Sequence, residues 1–336
     1  MRLLTELAGQ QVVDHVFWRT RVDILFLSEN EVQQLLDIDE LLEGLAEGFK
    51  ALSEGKVVAP SRNEVAVPNA GSMLAMPAWF PSEHITVKLV TIFHSNLELG
   101  IPGHQALICL FDHETGTPLA VMDGTYITAM RTAGATALST RLLARQDSSV
   151  LAIIGAGAQG HSHLKILPQV RTFNEIRVAS LYFTDAQKLA AINSKVQPIE
   201  SIEEAVRGAD VVCLCTASET PVISLDWLSS GSHITSVGYR PPGGELPRQV
   251  AEYGKLFVET RLAFKPQPAG CGDLAGLDPA IATELGEILL GKHSGRQSEQ
   301  EITVYKSMGH AMEDMVAANL VYQRARQQAI GVNVKL

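Results

Sequence analysis

Cysteine is scarce in this sequence, with four residues among 336. Two of them, Cys213 and Cys215, lie in an apolar run typical of a buried strand. A disulfide framework would need more cysteines in a shorter chain, and a single C-x-C pair is too little for a zinc site. We therefore expect free thiols in a reducing compartment and no metal site.

Basic residues are also in deficit, because 27 Lys and Arg face 37 Asp and Glu, for a net charge of −10. Nucleic-acid binding requires clustered Lys and Arg, and the sequence has no such block. No apolar run approaches the ~18 residues of a membrane helix. The first residues lack the apolar centre of a signal peptide. We expect a cytoplasmic protein that binds a small molecule and binds neither nucleic acid nor a membrane.

The length suits two domains of ~100 to 200 residues each. From Val57 to Asp123, short strand-like runs separated by Pro and Gly predict an antiparallel sheet. Beyond Val150, strands alternate with helices, which predicts a doubly wound parallel sheet. The expected fold class is α/β, with one doubly wound parallel sheet domain and one α+β domain that contains an antiparallel sheet.

Capping and turn signals predict several local elements. Ser28 and Glu31 match the S-x-x-E capping box and start a helix. The segment His113–Thr117 predicts a hairpin turn. Longer helices are predicted from apolar periodicity at Asp39–Ser53, Thr125–Ala144, Asp278–Leu290 and Gly309–Gln327.

The most informative stretch is a buried strand, Val150–Ile154, followed directly by Gly155, Gly157 and Gly160 in a G-x-G-x-x-G pattern. The first glycine allows a tight turn, the second lets backbone amides approach a pyrophosphate, and the third allows close packing of the next helix. The helix N-terminus favours the anion. The pattern predicts a bound dinucleotide.

Three basic residues and two histidines are candidates for a catalytic, binding or structural role. Lys88 lies in a run that is apolar on both faces, where a lysine is costly unless it is paired or used; the alternative is a lysine whose ammonium reaches solvent at a sheet edge. Arg131 precedes small residues that leave its planar guanidinium free to face a carboxylate. Arg62 is uninformative alone. His161 and His163 diverge on a helix, so we predict that both are exposed.

Several segments in this order resemble the ornithine cyclodeaminase and mu-crystallin family from Leu25 onward: TVKLVT at 86–91, GHQA at 103–106, LAVMDG through ITAMRTA at 119–133, the glycine loop, and YKSMG at 305–309 followed by Glu313 and Asp314. The resemblance implies a Rossmann domain at 138–305. It also implies a substrate and dimerisation domain made of residues 23–137 and 306–336, and a homodimer. Residues 1–22 remain an extension of unknown role.

Carried over residue by residue, the resemblance implies that Arg62, Lys88 and Arg131 bind the substrate. Like charges and burial would lower the pKa of Lys88 and make it the catalytic proton donor near neutral pH. Asp314 would support them. With the glycine loop, the resemblance assigns cofactor binding to His104, Thr132, Gly155, Ala156, Gly157, Ala158, Gln159, Ser180, Thr216, Ala217, Val237, Gly238 and Ser307.

The sequence departs from the family pattern at two places. Cyclodeaminases carry an aspartate shortly after the Val-Gly that ends the fifth Rossmann strand, but here Val237 and Gly238 lead to Arg240. Arg240 could face solvent or a second carboxylate on the substrate. At the end of the second strand, Ser180 stands in a stretch with no acid for the ribose of NAD and no arginine for NADP. The preference between NADH and NADPH stays open.

The missing aspartate favours reduction over ammonia elimination. We therefore expect an NAD(P)H-dependent imine reductase that acts on a cyclic α-imino acid such as Δ1-pyrroline-2-carboxylate or Δ1-piperideine-2-carboxylate to give proline or pipecolate. The alternatives are an ornithine or lysine cyclodeaminase, an alanine-type amino-acid dehydrogenase, and a non-catalytic NADP-dependent binder of a small ligand.

Overall fold

Two β-sheets and the helices packed on them make up the computed structural model of the protein, which describes residues 22–335. The extension predicted at residues 1–22 lies, apart from Val22, outside the described residues. Within the described part, no helix combines the length and apolar character needed to cross a membrane.

The first part of the chain forms most of one sheet and three helices. In chain order its elements are β1 (Asp23–Leu27), α1 (Glu29–Leu35), α2 (Ile38–Ser53), β2 (Asn63–Val67), β3 (Gly71–Ala78), β4 (Ile85–Ile92), β5 (His104–Phe111), β6 (Pro118–Asp123) and α3 (Thr125–Leu143). The capping box forms as predicted, because Ser28 and Glu31 each bond the other's backbone N–H. The predicted hairpin turn joins β5 to β6.

The second part of the chain forms a sheet in which every strand pair is parallel. Its elements are β7 (Val150–Ile154), α4 (Ala158–Val170), β8 (Glu175–Ala179), α5 (Phe183–Ala190), β9 (Val196–Pro198), α6 (Ile202–Val206), β10 (Val211–Leu214), β11 (His233–Ser236), α7 (Arg248–Tyr253), β12 (Lys255–Val258), β13 (Ala282–Glu284), α8 (Leu285–Leu289) and β14 (Thr303–Lys306). The strand order is β13-β12-β14-β11-β10-β7-β8-β9. The chain adds strands on one side of β7 up to β9 and then, from β10 onward, on the other side, so the order changes direction between β7 and β10. The predicted doubly wound sheet is confirmed.

The chain then returns to the first sheet through α9 (Ala311–Gln328) and β15 (Val332–Lys335). The order of this sheet is β15-β1-β6-β5-β4-β3-β2. Its pairs are antiparallel except for β1 with β6, so it is mixed rather than fully antiparallel. Helices α3 and α9 contact one face of it. Helix α3 runs continuously across the predicted domain boundary at 137/138.

The predicted helix over Asp278–Leu290 is wrong. Asp278 caps a single 3-10 turn, and residues 282–284 then extend as β13 and pair with β12. Only Leu285–Leu289 is α-helical, and Gly286 packs so closely on α2 that a Cβ there would lie 2.0 Å from the Phe49 carbonyl oxygen. Pairing with an open sheet edge overrides the local helical pattern.

Candidate active site

The glycine loop after β7 has the geometry of a pyrophosphate turn. Gly155 has φ +110°, and a Cβ there would lie 2.5 Å from the Cys215 carbonyl oxygen. A Cβ on Gly160 would lie 2.1 Å from the Gly155 carbonyl oxygen, so this glycine holds α4 against the strand. Gly157, at the N-cap of α4, faces open space. The loop therefore fits a dinucleotide whose pyrophosphate approaches the backbone of Ala156 to Gln159.

Two of the predicted cations meet on one carboxylate. Lys88 and Arg131 project from β4 and α3, and their side chains are 2% and 5% exposed. The Lys88 Nζ lies 2.7 Å from Asp314 Oδ2, and the Arg131 Nε donates to Asp314 Oδ1 at 2.9 Å. Asp314, near the start of α9, therefore bridges both cations and holds them side by side.

The third cation, Arg62, reaches the same place from the segment before β2. Its Nη2 donates to the carbonyl oxygens of Met308 and Gly309 at 3.4 and 3.1 Å. Gly309 also touches Arg131, because a Cβ on this glycine would lie 2.4 Å from the Arg131 Nη1. The Arg62 guanidinium lies 5.7 Å from the centre of the Tyr239 ring, within cation–π range. Arg62 and Arg131 thus meet at Gly309, and Arg131 and Lys88 share Asp314, so the three predicted cations form one cluster.

The cluster lies at the carboxyl edge of the parallel sheet, since Ser307–Gly309 directly follows β14. The glycine loop follows β7 at the same edge, and parallel strands bring their carboxyl ends together. The predicted substrate residues and the predicted dinucleotide loop therefore belong to one cleft.

Burial lowers the pKa of Lys88 to about 8, and the charges of Arg131 and Arg62 act in the same direction, while Asp314 opposes them. Burial also lowers the pKa of His104 to about 4, with help from Lys88 and Arg131. Burial disfavours an ionised Asp314, but Arg131 and Lys88 outweigh it and lower the pKa of that carboxyl. At neutral pH the site holds a cationic lysine close to its titration range beside a neutral imidazole.

Behind the cations lies a pair of buried glutamates. Glu313 accepts a bond from Arg131 Nη1 at 3.1 Å, and Glu259 accepts from the Gly309 N–H at 3.1 Å and from the Ser307 hydroxyl. Burial and the neighbouring Glu259 raise the pKa of Glu313 well above its ordinary value. The cluster thus brings Lys88, Arg131 and Arg62 together with the carboxyl groups of Asp314, Glu313 and Glu259.

A third buried glutamate, Glu245, holds the ends of β10 and β11. Its Oε2 accepts from the Thr216 N–H and hydroxyl at 2.6 and 2.7 Å, and its Oε1 accepts from the N–H groups of Val237 and Gly238 at 3.1 and 2.6 Å. The predicted cofactor residues in this region therefore donate to Glu245.

A buried lysine completes this network. Lys306, the last residue of β14, donates to the Ser236 hydroxyl at 3.0 Å and to the Gly238 carbonyl oxygen at 2.8 Å, and pairs with Asp273 at 3.0 Å. The Ser236 hydroxyl in turn donates to Glu245 at 3.0 Å. The network joins the ends of three strands at the cleft.

The other predicted cofactor residues lie around the same edge. Thr132 is buried on α3 and donates its hydroxyl to the Thr128 carbonyl oxygen at 2.7 Å. Ala217 is exposed in the loop after β10, and Ser180 directly follows β8. The next residues, Leu181 and Tyr182, are 84% and 66% exposed. Residues 180–182 therefore provide neither an acidic nor a basic side chain at the place where the adenosine of a dinucleotide would lie.

Two histidines and one arginine take positions that the sequence leaves uncertain. His161 is exposed as predicted, but the prediction for His163 is wrong: it is fully buried and its ring contacts the Gln159 carbonyl oxygen and the Thr136 hydroxyl. The α3 helix covers that side of α4. Arg240 pairs with Glu219 at 3.0 Å and is partly exposed.

Sequence reasoning gave no role to several further polar groups at the site, which are the acids Glu245, Glu259, Asp273 and Glu313, the lysine Lys306 and the aromatic residue Tyr239. A signal existed for two of them, because Lys306 follows a buried-strand pattern and Glu313 adjoins Asp314 in an apolar helix. The others lie in loops, and only the fold shows which groups they meet.

A doubly wound sheet with an open glycine turn, next to buried cations carried by the elements of the mixed sheet, is typical of a dinucleotide-dependent oxidoreductase. The chain belongs to the ornithine cyclodeaminase/mu-crystallin family, whose model matches residues 22–329. It is 38% identical to ketimine reductase mu-crystallin from Mus musculus over 305 residues, which cover 88% of this chain and 96% of that protein.

Two solved structures are similar over nearly the whole chain. The Δ1-pyrroline-2-carboxylate reductase of Thermococcus litoralis, in complex with NADH and L-proline, has 34% identity and a TM-score of 0.88, and covers 93% of this chain and 100% of its own. An archaeal alanine dehydrogenase dimer with bound NAD has 31% identity and a TM-score of 0.85, and covers 94% of this chain and 100% of its own.

Proposed function

We propose that the protein is an NAD(P)H-dependent imine reductase that converts a cyclic α-imino acid, such as Δ1-pyrroline-2-carboxylate or Δ1-piperideine-2-carboxylate, into the cyclic amino acid. The observation that carries the proposal is the clustering of Lys88, Arg131 and Arg62 through Asp314 and Gly309, at the edge where the glycine loop lies. Reductases of this chemistry among the relatives support it.

In this proposal the two arginines and the lysine have different tasks. Arg62 and Arg131 bind the substrate carboxylate, because a guanidinium forms directed, charge-assisted bonds to it. Asp314 holds Arg131 and Lys88 in place. Lys88, with its pKa lowered to about 8, keeps a proton near the ring nitrogen, and a protonated imine carbon accepts a hydride more readily.

The cofactor residues proposed above hold the dinucleotide. Ala156, Gly157, Ala158 and Gln159 present the pyrophosphate turn, and Glu245 keeps the loops after β10 and β11 in position. A bound NAD(P)H would supply the hydride. Neutral His104, beside Lys88 and Arg131, adds no further charge to the pocket.

The direct test is to mix the purified protein with NADH or NADPH and each imino acid, and to follow oxidation of the nicotinamide by absorbance. We expect oxidation only when an imino acid is present. Absence of oxidation with every imine, under conditions where cofactor binding is seen by fluorescence, would exclude the proposed activity.

Alanine-type dehydrogenation is the second candidate, favoured by the similarity to the archaeal alanine dehydrogenase. It is distinguished by oxidation of NADH with pyruvate and free ammonia. A cyclodeaminase would release ammonia from ornithine or lysine without added reductant, but Tyr239 and Arg240 stand where its aspartate is expected, and Arg240 is paired with Glu219. A non-catalytic binder would bind NADPH and turn over nothing.

We also propose that the protein is a homodimer formed through the open face of its seven-stranded sheet. On the face away from α3 and α9, the apolar side chains of Phe26, Val65, Leu107, Val332 and Val334 are 40% to 61% exposed. The strand registers place all five on the same side. A large apolar surface of this kind suits a second copy of the chain. The dimeric archaeal relative supports this assignment.

We further propose that the protein is located in the cytoplasm. The support for this location is that all four cysteines are free thiols and that three of them are buried. Fractionation of the host cell, followed by detection of the protein, is the measurement that tests it.

A further inference from the structure

A cluster of metal-binding side chains lies outside the cleft, where β4 begins and β5 ends. These strands are antiparallel and Ile85 pairs with Phe111. His84 directly precedes β4, and Asp112 and His113 directly follow β5. The paired ends of the two strands thus bring two imidazoles and one carboxylate together from two short segments.

The ligand atoms of His84, Asp112 and His113 all lie within 4.8 Å of one another. The His84 Nδ1 is 3.9 Å from Asp112 Oδ2, which is too long for a hydrogen bond. Zinc binds imidazole nitrogen and carboxylate oxygen at about 2.0 to 2.2 Å, so an ion between these atoms needs only small side-chain rotations.

The neighbours of the cluster fix its geometry while leaving ligand atoms available. Asn319 on α9 accepts from the His84 backbone N–H at 3.1 Å, and the Tyr322 ring packs edge-on to the His84 ring. Asp112 uses Oδ1 for the turn, accepting from the Thr115 N–H at 2.8 Å, so that Oδ2 faces His84.

Two covered polar atoms here have no hydrogen-bond partner among the described residues: the His84 Nδ1 and the Glu83 Oε2. A buried polar atom without a partner is unfavourable, and each such atom in a folded protein calls for an explanation.

We propose that His84, Asp112 and His113 form a binding site for a divalent transition metal of the zinc, nickel or cobalt class. Two imidazoles and one carboxylate select these metals over magnesium and calcium, which prefer all-oxygen sites. A bound ion would tie the β5–β6 turn to the start of β4, beside α9.

The test uses the full chain after chelator treatment, dialysed against zinc chloride, with bound zinc measured by metal analysis and its affinity by competition with a chromophoric chelator. We expect one zinc per chain. His113→Gln and Asp112→Asn should each weaken the affinity at least about tenfold, since even loss of a group that only supports a ligand costs that much. Asp112→Asn keeps Oδ1 for the turn and removes only the Oδ2 ligand.

Two controls separate this site from incidental binding. His161→Gln removes an exposed histidine on α4, and Cys109→Ser removes the half-buried thiol, so neither should change zinc affinity. Cobalt(II) should give a visible absorption band in the wild type that His113→Gln abolishes. Failure of the wild type to bind one zinc, or equal affinity in wild type and His113→Gln, would overturn the proposal.

Discussion

Lys88 is the residue whose replacement should be most informative. Lys88→Met keeps the length of the side chain and removes its charge and proton. We expect kcat/KM for the imino acid to fall about 10²-fold to 10⁴-fold, the range for loss of a general acid. NADH affinity, measured by fluorescence titration, should change little, because Lys88 belongs to the substrate side. Turnover equal to wild type would remove Lys88 from the chemistry.

The pH profile should report the same residue. Burial lowers the pKa of Lys88 to about 8, so the ammonium loses its proton as pH rises through that value. A neutral amine neither donates the proton nor attracts the substrate carboxylate, and kcat/KM should therefore fall above pH 8. In Lys88→Arg the guanidinium stays charged, so the residual activity should lack this limb. An unchanged limb in Lys88→Arg would assign it to another group.

At this scale the sequence predicts the cations better than their partners. A lysine in an apolar strand and an arginine among small residues are conspicuous, and both lie in the cluster. Glu245 and Glu259 carry no comparable signal, because each acts on backbone groups that only the folded loops bring near. The error at His163 has the same origin, since the helix that buries it is distant in sequence.

Among the elements, those with a strong local cause are predicted best. The strand Val150–Ile154 has the bounds read from its apolar run, and the capping box starts α1 at the predicted place. The helix predicted after Asp278 is wrong because residues 282–284 pair with the open edge of β12. The local sequence pattern carries no information about that edge. The short strands β1 and β15 are missed because their partners lie at opposite ends of the chain.

The loops after β10 and β11 should depend on one buried carboxylate. In Glu245→Gln an amide nitrogen replaces one of the two oxygens and cannot accept there, either from the Thr216 N–H or from the N–H groups of Val237 and Gly238. Leaving one or more of these unsatisfied costs about 1 to 3 kcal/mol. We expect a lower melting temperature and weaker NADH binding, with a larger effect on the cofactor KM than on kcat.

Glu219→Gln is the matched control, because it breaks the exposed pair with Arg240 in the same cleft wall. A surface pair contributes about 0 to 1 kcal/mol, so stability and cofactor affinity should stay near wild type. If Glu245→Gln binds NADH as the wild type does, Glu245 serves only the fold. If both variants lose affinity equally, the effect is one of local charge.

At the scale of the whole molecule, the chain's return to its first sheet is what completes the site. Asp314 on α9 meets Lys88 on β4 and Arg131 on α3, and β15 then pairs with β1. The alternation of strands and helices predicts the parallel sheet, but nothing in the local pattern says that the last helix carries the acid for two distant cations. That part of the prediction came from the resemblance of the whole chain to a family.

The proposed dimer can be tested on the open sheet face. Leu107 is 53% exposed on β5, in register with Leu89 of β4, near the middle of the apolar surface. A glutamate there would be buried without a partner in a dimer but solvated in a monomer, so Leu107→Glu should shift the mass measured by light scattering from two chains to one. Leu181→Glu, at a side chain 84% exposed beyond β8, is the control and should leave the mass unchanged. A Leu107→Glu protein that remains dimeric would place the interface elsewhere, and a wild type that is monomeric at every concentration would leave this sheet face without its proposed partner.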